Sequence, residues 1–121
     1  MCCWWYSQQR VSVLLRAYLS CSEDIRHGIQ RVEEAIEGLD IGILINNAGA
    51  TYRRASYFDE AEERVLGEVV RVNVEGTSWM SRVVMKGMVE RGRGAVVNVG
   101  SGAACVLPSF PLYTVYSATK A

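Results

Sequence analysis

Ile41-Gly42-Ile43-Leu44-Ile45-Asn46-Asn47-Ala48-Gly49 is the stretch on which the fold turns. It is a short apolar run without polar alternation, and it stops at two asparagines and a glycine. A strand wetted on one side alternates; a continuous run suits a strand covered on both faces, as in a parallel sheet. Gly38, just upstream, sits where a helix C-cap glycine belongs. Before it, Ile25, Ile29, Val32 and Ile36 recur at spacings of four, three and four, one apolar stripe of a helix. That helix runs to about Glu37, with Ser22 or Asp24 as its cap.

Downstream, Asp59 and Glu62 have the spacing of a capping box. Helical spacing follows through Val65, Val69 and Val72, then Met80, Val84 and Met88, and ends at Arg91-Gly92-Arg93-Gly94. One straight helix of that span would be long, so a bend is expected near Asn73 and Gly76. Ala95-Val96-Val97-Asn98-Val99 reads as a second buried strand, with Gly100-Ser101-Gly102 directly after it. Pro108 and Pro111 mark a loop, and a third helix starts near Leu112. The order helix, strand, helix, strand, helix implies an α/β fold, a doubly wound parallel sheet with right-handed crossovers. Residues 1–22 stand apart from 23–121: aromatic and cysteine residues come first, then the run Val11–Leu19, which periodicity leaves open between strand and short helix.

A chain of 121 residues fits one domain, and 50% hydrophobic with 21% charged residues is globular composition. Thirteen basic residues balance thirteen acidic ones, so nucleic-acid binding, which favours a basic excess, is not expected. Cys2, Cys3, Cys21 and Cys105 have neither zinc spacing nor scaffold density, so reduced thiols and no metal are expected. The longest apolar region, Met1 to Cys21, is interrupted by Arg10 and Arg16, short of the roughly 20 apolar residues of a membrane span. Its bulky residues come first, the reverse of a secretory signal. Cys2-Cys3 beside Trp4-Trp5-Tyr6 could serve as an acylated interfacial anchor, but an N-terminus without that role is the favoured reading.

In an open α/β sheet ligands bind beyond the carboxyl ends of the strands. Asn46-Asn47-Ala48-Gly49 and Gly100-Ser101-Gly102 occupy those ends, although each alone is equally a plain strand-to-helix turn. Tyr116-Ser117-Ala118-Thr119-Lys120 adds a tyrosine and a lysine four apart, on one face of a helix. An ammonium close to a phenol favours the phenolate, which suits proton donation to a carbonyl oxygen near neutral pH. An isolated pair of this kind is more often an exposed surface pair.

Taken in order, Asn46-Asn47-Ala48-Gly49, Asn73-Val74-x-Gly76, Ser101 and Tyr116-x-x-x-Lys120 resemble the short-chain dehydrogenase/reductase family. The resemblance implies a Rossmann-type sheet and hydride transfer between a nicotinamide and a carbonyl or alcohol. Glu37 to Asn47, Asn98-Val99-Gly100-Ser101-Gly102-Ala103-Ala104, Pro108 and Leu112-Tyr113-x-Val115-Tyr116 look like the plant-type very-long-chain 3-oxoacyl-CoA reductase branch, related to 17β-hydroxysteroid dehydrogenases. That branch implies NADPH as cofactor, an acyl-CoA substrate, and fatty-acid elongation at the cytosolic face of the endoplasmic reticulum membrane beside other elongation enzymes. It also implies a homodimer for the full-length parent.

Within the resemblance Tyr116 is the proton donor, and Lys120 lowers its pKa and hydrogen-bonds the nicotinamide ribose. Ser101 polarises the substrate carbonyl, and Asn73 holds a relay water through its backbone carbonyl. Asn46, Ala48 and Gly49 line the cofactor and brace the central strand. Tyr113 is not the acid, because Ser117 and not a lysine lies four residues on; Ser109 is a weaker candidate than Ser101. The family's Thr-Gly-x-x-x-Gly-x-Gly turn has no counterpart in this sequence, since Gly87, Gly92 and Gly94 follow a helix instead of opening one. The expectation is therefore a partial Rossmann-type domain, the middle portion of the family's fold, weakly active or inactive alone and without tight NADPH binding. The alternatives are a non-catalytic, partner-binding remnant and hydroxysteroid dehydrogenase activity of the parent.

Overall fold

The computed structural model describes residues 25–106 and 110–121 in full, together with the backbone of strands Cys3–Ser7 and Ser12–Leu15. The elements in order are β1 (Cys3–Ser7), β2 (Ser12–Leu15), α1 (Ile25–Ile36), β3 (Ile41–Asn46) and α2 (Glu63–Val70). A π-helical turn (Arg71–Gly76), α3 (Thr77–Glu90), β4 (Ala95–Asn98), α4 (Gly102–Cys105), a 3₁₀ turn (Pro111–Tyr113) and α5 (Thr114–Lys120) complete it. Ser22, Asp24 and Ser109 lie outside the described residues.

The sheet order is β2-β1-β3-β4. β3 and β4 are parallel, in register from Ile43 beside Ala95 to Asn46 beside Asn98, as the two apolar runs imply. β1 runs antiparallel to both β2 and β3, so the sheet is mixed where a wholly parallel one is expected. Too few residues separate β1 from β2 for anything but a hairpin, because a parallel pair needs a crossover of about a dozen or more. The run Val11–Leu19, ambiguous by periodicity, contains a strand.

α1 and α3 pack on one face of the sheet. Val32, Leu44, Met80, Val84 and Met88 bury together there, with Leu44 wholly inaccessible. A second cluster, Ala50, Tyr52, Val69 and Val72, lies under the loop that follows β3. β4 departs from the buried strand read from its sequence: Val97 is 46% exposed and Val99 41%. Among the described residues it has a strand partner on one side, β3, and forms the edge of the described sheet. The Asp59–Glu62 capping box does not form either. Glu62 is itself the N-cap of α2 and makes no side-chain cap bond, while the Glu60 carboxylate accepts the Tyr57 N–H at 3.3 Å.

The end of α3 is fixed by charge and by glycine. Arg91 pairs with Asp40 at 2.8 Å and donates to the Ile41 carbonyl at 2.9 Å, tying the helix end to the start of β3. Gly92 takes φ +65°, the left-handed stop expected of a C-terminal glycine. Gly94 has φ +155°, and a Cβ there would run into the Met88 side chain. Gly94→Ala should therefore lower unfolding free energy by about 1–3 kcal/mol. Gly67→Ala, in α2 with nothing within 4 Å of the added methyl, should raise it by about 0.5–1 kcal/mol. Denaturant titration reads both, and equal shifts would contradict the packing described.

Candidate active site

The bend expected near Asn73 is a π-helical turn spanning Arg71–Gly76 between α2 and α3. Such turns interrupt the regular helical ladder and recur at functional sites. It carries the Asn73 side chain into the interior, where the residue is 6% exposed. Asn73 Oδ1 accepts the Ala50 N–H at 2.7 Å, and Nδ2 donates to the Ala50 carbonyl at 3.0 Å and to Thr119 Oγ1 at 2.8 Å. The Thr119 hydroxyl in turn donates to the Tyr116 carbonyl at 2.8 Å. One buried amide thus joins the turn after β3, the bend of the long helix and the helix of the Tyr-Lys pair.

Asn46 is 5% exposed, and its amide donates to Asn98 Oδ1 at 2.8 Å and Ser81 Oγ at 3.0 Å. Its carbonyl accepts the Val99 N–H at 3.0 Å. Both amide hydrogens are thereby committed to holding β3 against β4 and α3. Ala48 is half-buried in the following turn. Gly49 faces Lys120: a Cβ there would lie 3.3 Å from both Cε and Nζ, and 3.4 Å from Asn73 Oδ1. The missing side chain lets the Lys120 ammonium and the Asn73 amide close onto the turn after β3, which brings the lysine to the carboxyl end of that strand. Lys120 Nζ donates to the Val99 carbonyl at 2.9 Å, at the end of β4.

Ser101 follows β4 and caps α4, a short helix that the sequence reading does not anticipate; its Oγ accepts the Ala103 N–H at 3.3 Å. Accepting there leaves the hydroxyl hydrogen free to donate. Gly100 sits against the Lys120 carbonyl, its notional Cβ 3.5 Å away, which brings the Ser101 turn to the end of α5. Tyr116 is half-buried, packs on the Ala50, Tyr52, Val69 and Val72 cluster, and its hydroxyl has no partner among the described residues. Tyr113 stands in an aromatic wall beside it, stacked on Phe110 at 5.2 Å and on Tyr52 at 5.5 Å between ring centres, and edge to face with Tyr116 at 6.3 Å between ring centres. No group of histidine, cysteine or acidic side chains suited to a metal occurs among the described residues.

The sequence reading misses three residues of this assembly. Thr119 is the relay between Asn73 and Tyr116. Tyr52 is buried, and its hydroxyl accepts the Val115 N–H, an otherwise unpaired amide of the first turn of α5, at 3.2 Å. Ser81 completes the Asn46 brace. The only signal in the sequence was the presence of polar residues within apolar helical and turn segments.

Residues 7–121 match the family model described as short chain dehydrogenase. The chain belongs to the short-chain dehydrogenase/reductase family. That is a family of oxidoreductases, as the resemblance implies. A very-long-chain 3-oxoacyl-CoA reductase-like protein of Arabidopsis thaliana is 51% identical over 94 residues, covering 78% of this chain and 30% of its own length. The very-long-chain 3-oxoacyl-CoA reductase of Homo sapiens is 40% identical over 101 residues, covering 82% and 31%. A short-chain dehydrogenase from Sphingobium yanoikuyae, solved in complex with NADPH, is 30% identical with a TM-score of 0.67, over 78% of this chain and 36% of that one. The chain thus spans about a third of the length of these relatives. The family match begins within residues 1–22, whose described strands belong to the same sheet.

Asn73→Ala would leave the Ala50 peptide and the Thr119 hydroxyl without their shared partner. Unfolding free energy should fall by about 2–4 kcal/mol, because buried polar groups left unpaired cost about 1–3 kcal/mol each. Amide exchange at Ala50 should accelerate in the same variant. Unchanged protection at Ala50 would show that the clamp does not hold this turn.

Proposed function

We propose that these residues carry the NADPH-dependent reduction of very-long-chain 3-oxoacyl-CoA to 3-hydroxyacyl-CoA, at the cytosolic face of the endoplasmic reticulum membrane. The observation that carries the reading is the Asn73 clamp, which gathers the Gly49 turn and the Tyr116–Lys120 helix around one buried amide. The relatives named above support the substrate class.

The nicotinamide, when bound, supplies the hydride. The chain does the rest. Lys120 and Gly49 would hold its ribose end. Ser101, whose Oγ among the described residues serves as an acceptor, has its O–H available for the 3-oxo oxygen, a contact of the kind worth about 10²–10³ in rate. The Tyr116 hydroxyl, without a partner among the described residues, donates the proton to that same oxygen as it becomes an alcohol. The Lys120 ammonium, which donates to the Val99 carbonyl, would be the group available to donate to the ribose. The interrupted ladder around Asn73 is where a backbone carbonyl can hold the water that returns a proton to Lys120. The aromatic wall of Tyr52, Phe110 and Tyr113 gives the tyrosine side an apolar flank. In the full-length parent, a homodimer and association with other elongation enzymes belong to the same reading.

The test follows loss of NADPH absorbance with a long-chain 3-oxoacyl-CoA and NADPH in large excess. We expect slow turnover that falls at least about 10²-fold in Tyr116→Phe. Turnover unchanged in Tyr116→Phe, or oxidation of NADPH independent of the thioester, would contradict the proposal. Reduction of a 17-oxosteroid in preference to the thioester would favour the hydroxysteroid reading.

A further inference from the structure

Beyond the tyrosine and its helix, the loop after β3 and the first turn of α2 line a cavity of about 370 Å³ that is open to solvent on one side. That is within the range of small-molecule sites, about 300–1,000 Å³. Arg53, Arg54 and Arg64 line it, all three exposed. None of the three guanidiniums has a hydrogen-bond or ion-pair partner among the described residues. This is unlike Arg91 and Arg93, both of which are paired with Asp40. Two acids share the lining, Glu60 and Glu62, and the Glu60 carboxylate is already engaged by the Tyr57 N–H. The cavity therefore carries an excess of positive charge in a chain whose formal net charge is zero. Its apolar wall is the ring of Tyr52 and the side chain of Val65.

We propose that this cavity is a phosphate subsite that takes the nucleotide end of a coenzyme A thioester, with Arg53, Arg54 and Arg64 as its ligands. Guanidinium forks pair with phosphate oxygens two bonds at a time, and several together suit a group bearing more than one phosphate. The Tyr52 ring that walls the cavity also stacks on Tyr113, and its hydroxyl holds the first turn of α5. A ligand seated there abuts the wall of Tyr116 and leaves the spacer of the thioester to reach the tyrosine. Gly49, Val99 and Lys120, the residues fitted to the nicotinamide end, do not line this cavity. The nicotinamide end is therefore not its occupant, and 2′,5′-ADP against 3′,5′-ADP separates the adenosine end of the dinucleotide from that of the thioester. The identity of the thioester rests on the reductase reading; the charge and shape of the subsite do not.

Calorimetric titration of the whole chain with coenzyme A, 3′,5′-ADP, 2′,5′-ADP and pantetheine tests the assignment without requiring turnover. Coenzyme A and 3′,5′-ADP should bind saturably and compete, pantetheine should not bind, and Kd should rise with salt. The triple variant Arg53→Gln, Arg54→Gln, Arg64→Gln should weaken coenzyme A at least tenfold. The three side chains are exposed, so folding should survive, which circular dichroism checks. The triple Arg→Lys variant, which keeps charge but loses the paired geometry, should bind between the two. Absence of saturable coenzyme A binding, equal affinity in the glutamine variant, or equal displacement by 2′,5′-ADP would overturn the proposal. A 3-oxoacyl thioester of N-acetylcysteamine, which has no phosphate, separates the two readings. If it is reduced while coenzyme A fails to bind, the subsite alone is lost. If coenzyme A binds through the arginines and neither thioester is reduced, the reductase reading alone is lost.

Discussion

The arrangement depends on where one buried amide finds its partners. Asn73 has two donors and one acceptor in a place shielded from water, and leaving them unpaired would cost about 1–3 kcal/mol for each group. The Ala50 peptide and the Thr119 hydroxyl satisfy them. Those partners come from segments far apart in the chain, one just beyond β3 and one in α5. Satisfying the amide therefore requires the turn that carries Gly49 and the helix that carries Tyr116 and Lys120 to meet. A hydrophobic contact would tolerate sliding; three hydrogen bonds to one planar group do not.

The π-helical turn makes this compatible with the core. The apolar stripe of α2 leads into the Ala50, Tyr52, Val69 and Val72 cluster, while the stripe of α3 feeds Met80, Val84 and Met88 into the cluster around Leu44 and Val32. A turn closed by i→i+5 bonds holds one more residue than an α turn, so the two stripes need not share a single helical face. The same break brings Asn73 inward between them. Fold and site are thus coupled at one point: the place where the long helix changes its packing partner is the place where it presents its polar side chain.

Much of this is legible in the sequence, for identifiable reasons. α1, β3 and the two-part helix follow from local periodicity, and the Asn73–Gly76 break follows from a pattern too long for one straight helix. What the sequence conceals is set by tertiary placement. The apolar residues of β4 look the same whether the strand is central or at an edge, and Val97 is half-exposed because it is at an edge. The antiparallel hairpin is fixed by which strands meet, and periodicity does not report that. Asp59 and Glu62 have capping spacing, but α2 begins after them, since Glu60 closes a tighter turn onto the Tyr57 amide. In the candidate site the residue types Asn46, Asn73, Ser101, Tyr116 and Lys120 were readable as a set. The Thr119 relay and the Tyr52 hydroxyl were not, because each acts through a backbone group that a side-chain pattern does not reveal.

A double-mutant cycle between Asn73 and Thr119 tests the central claim most directly. Unfolding free energies of Asn73→Ala, Thr119→Val and the double variant give the coupling of the bend to the tyrosine–lysine helix. The clamp described here requires a favourable coupling of about 0.5–1.5 kcal/mol, the two single losses summing to more than the double loss. Strict additivity would mean that the bend and the helix are held independently, and that the amide does not assemble the site.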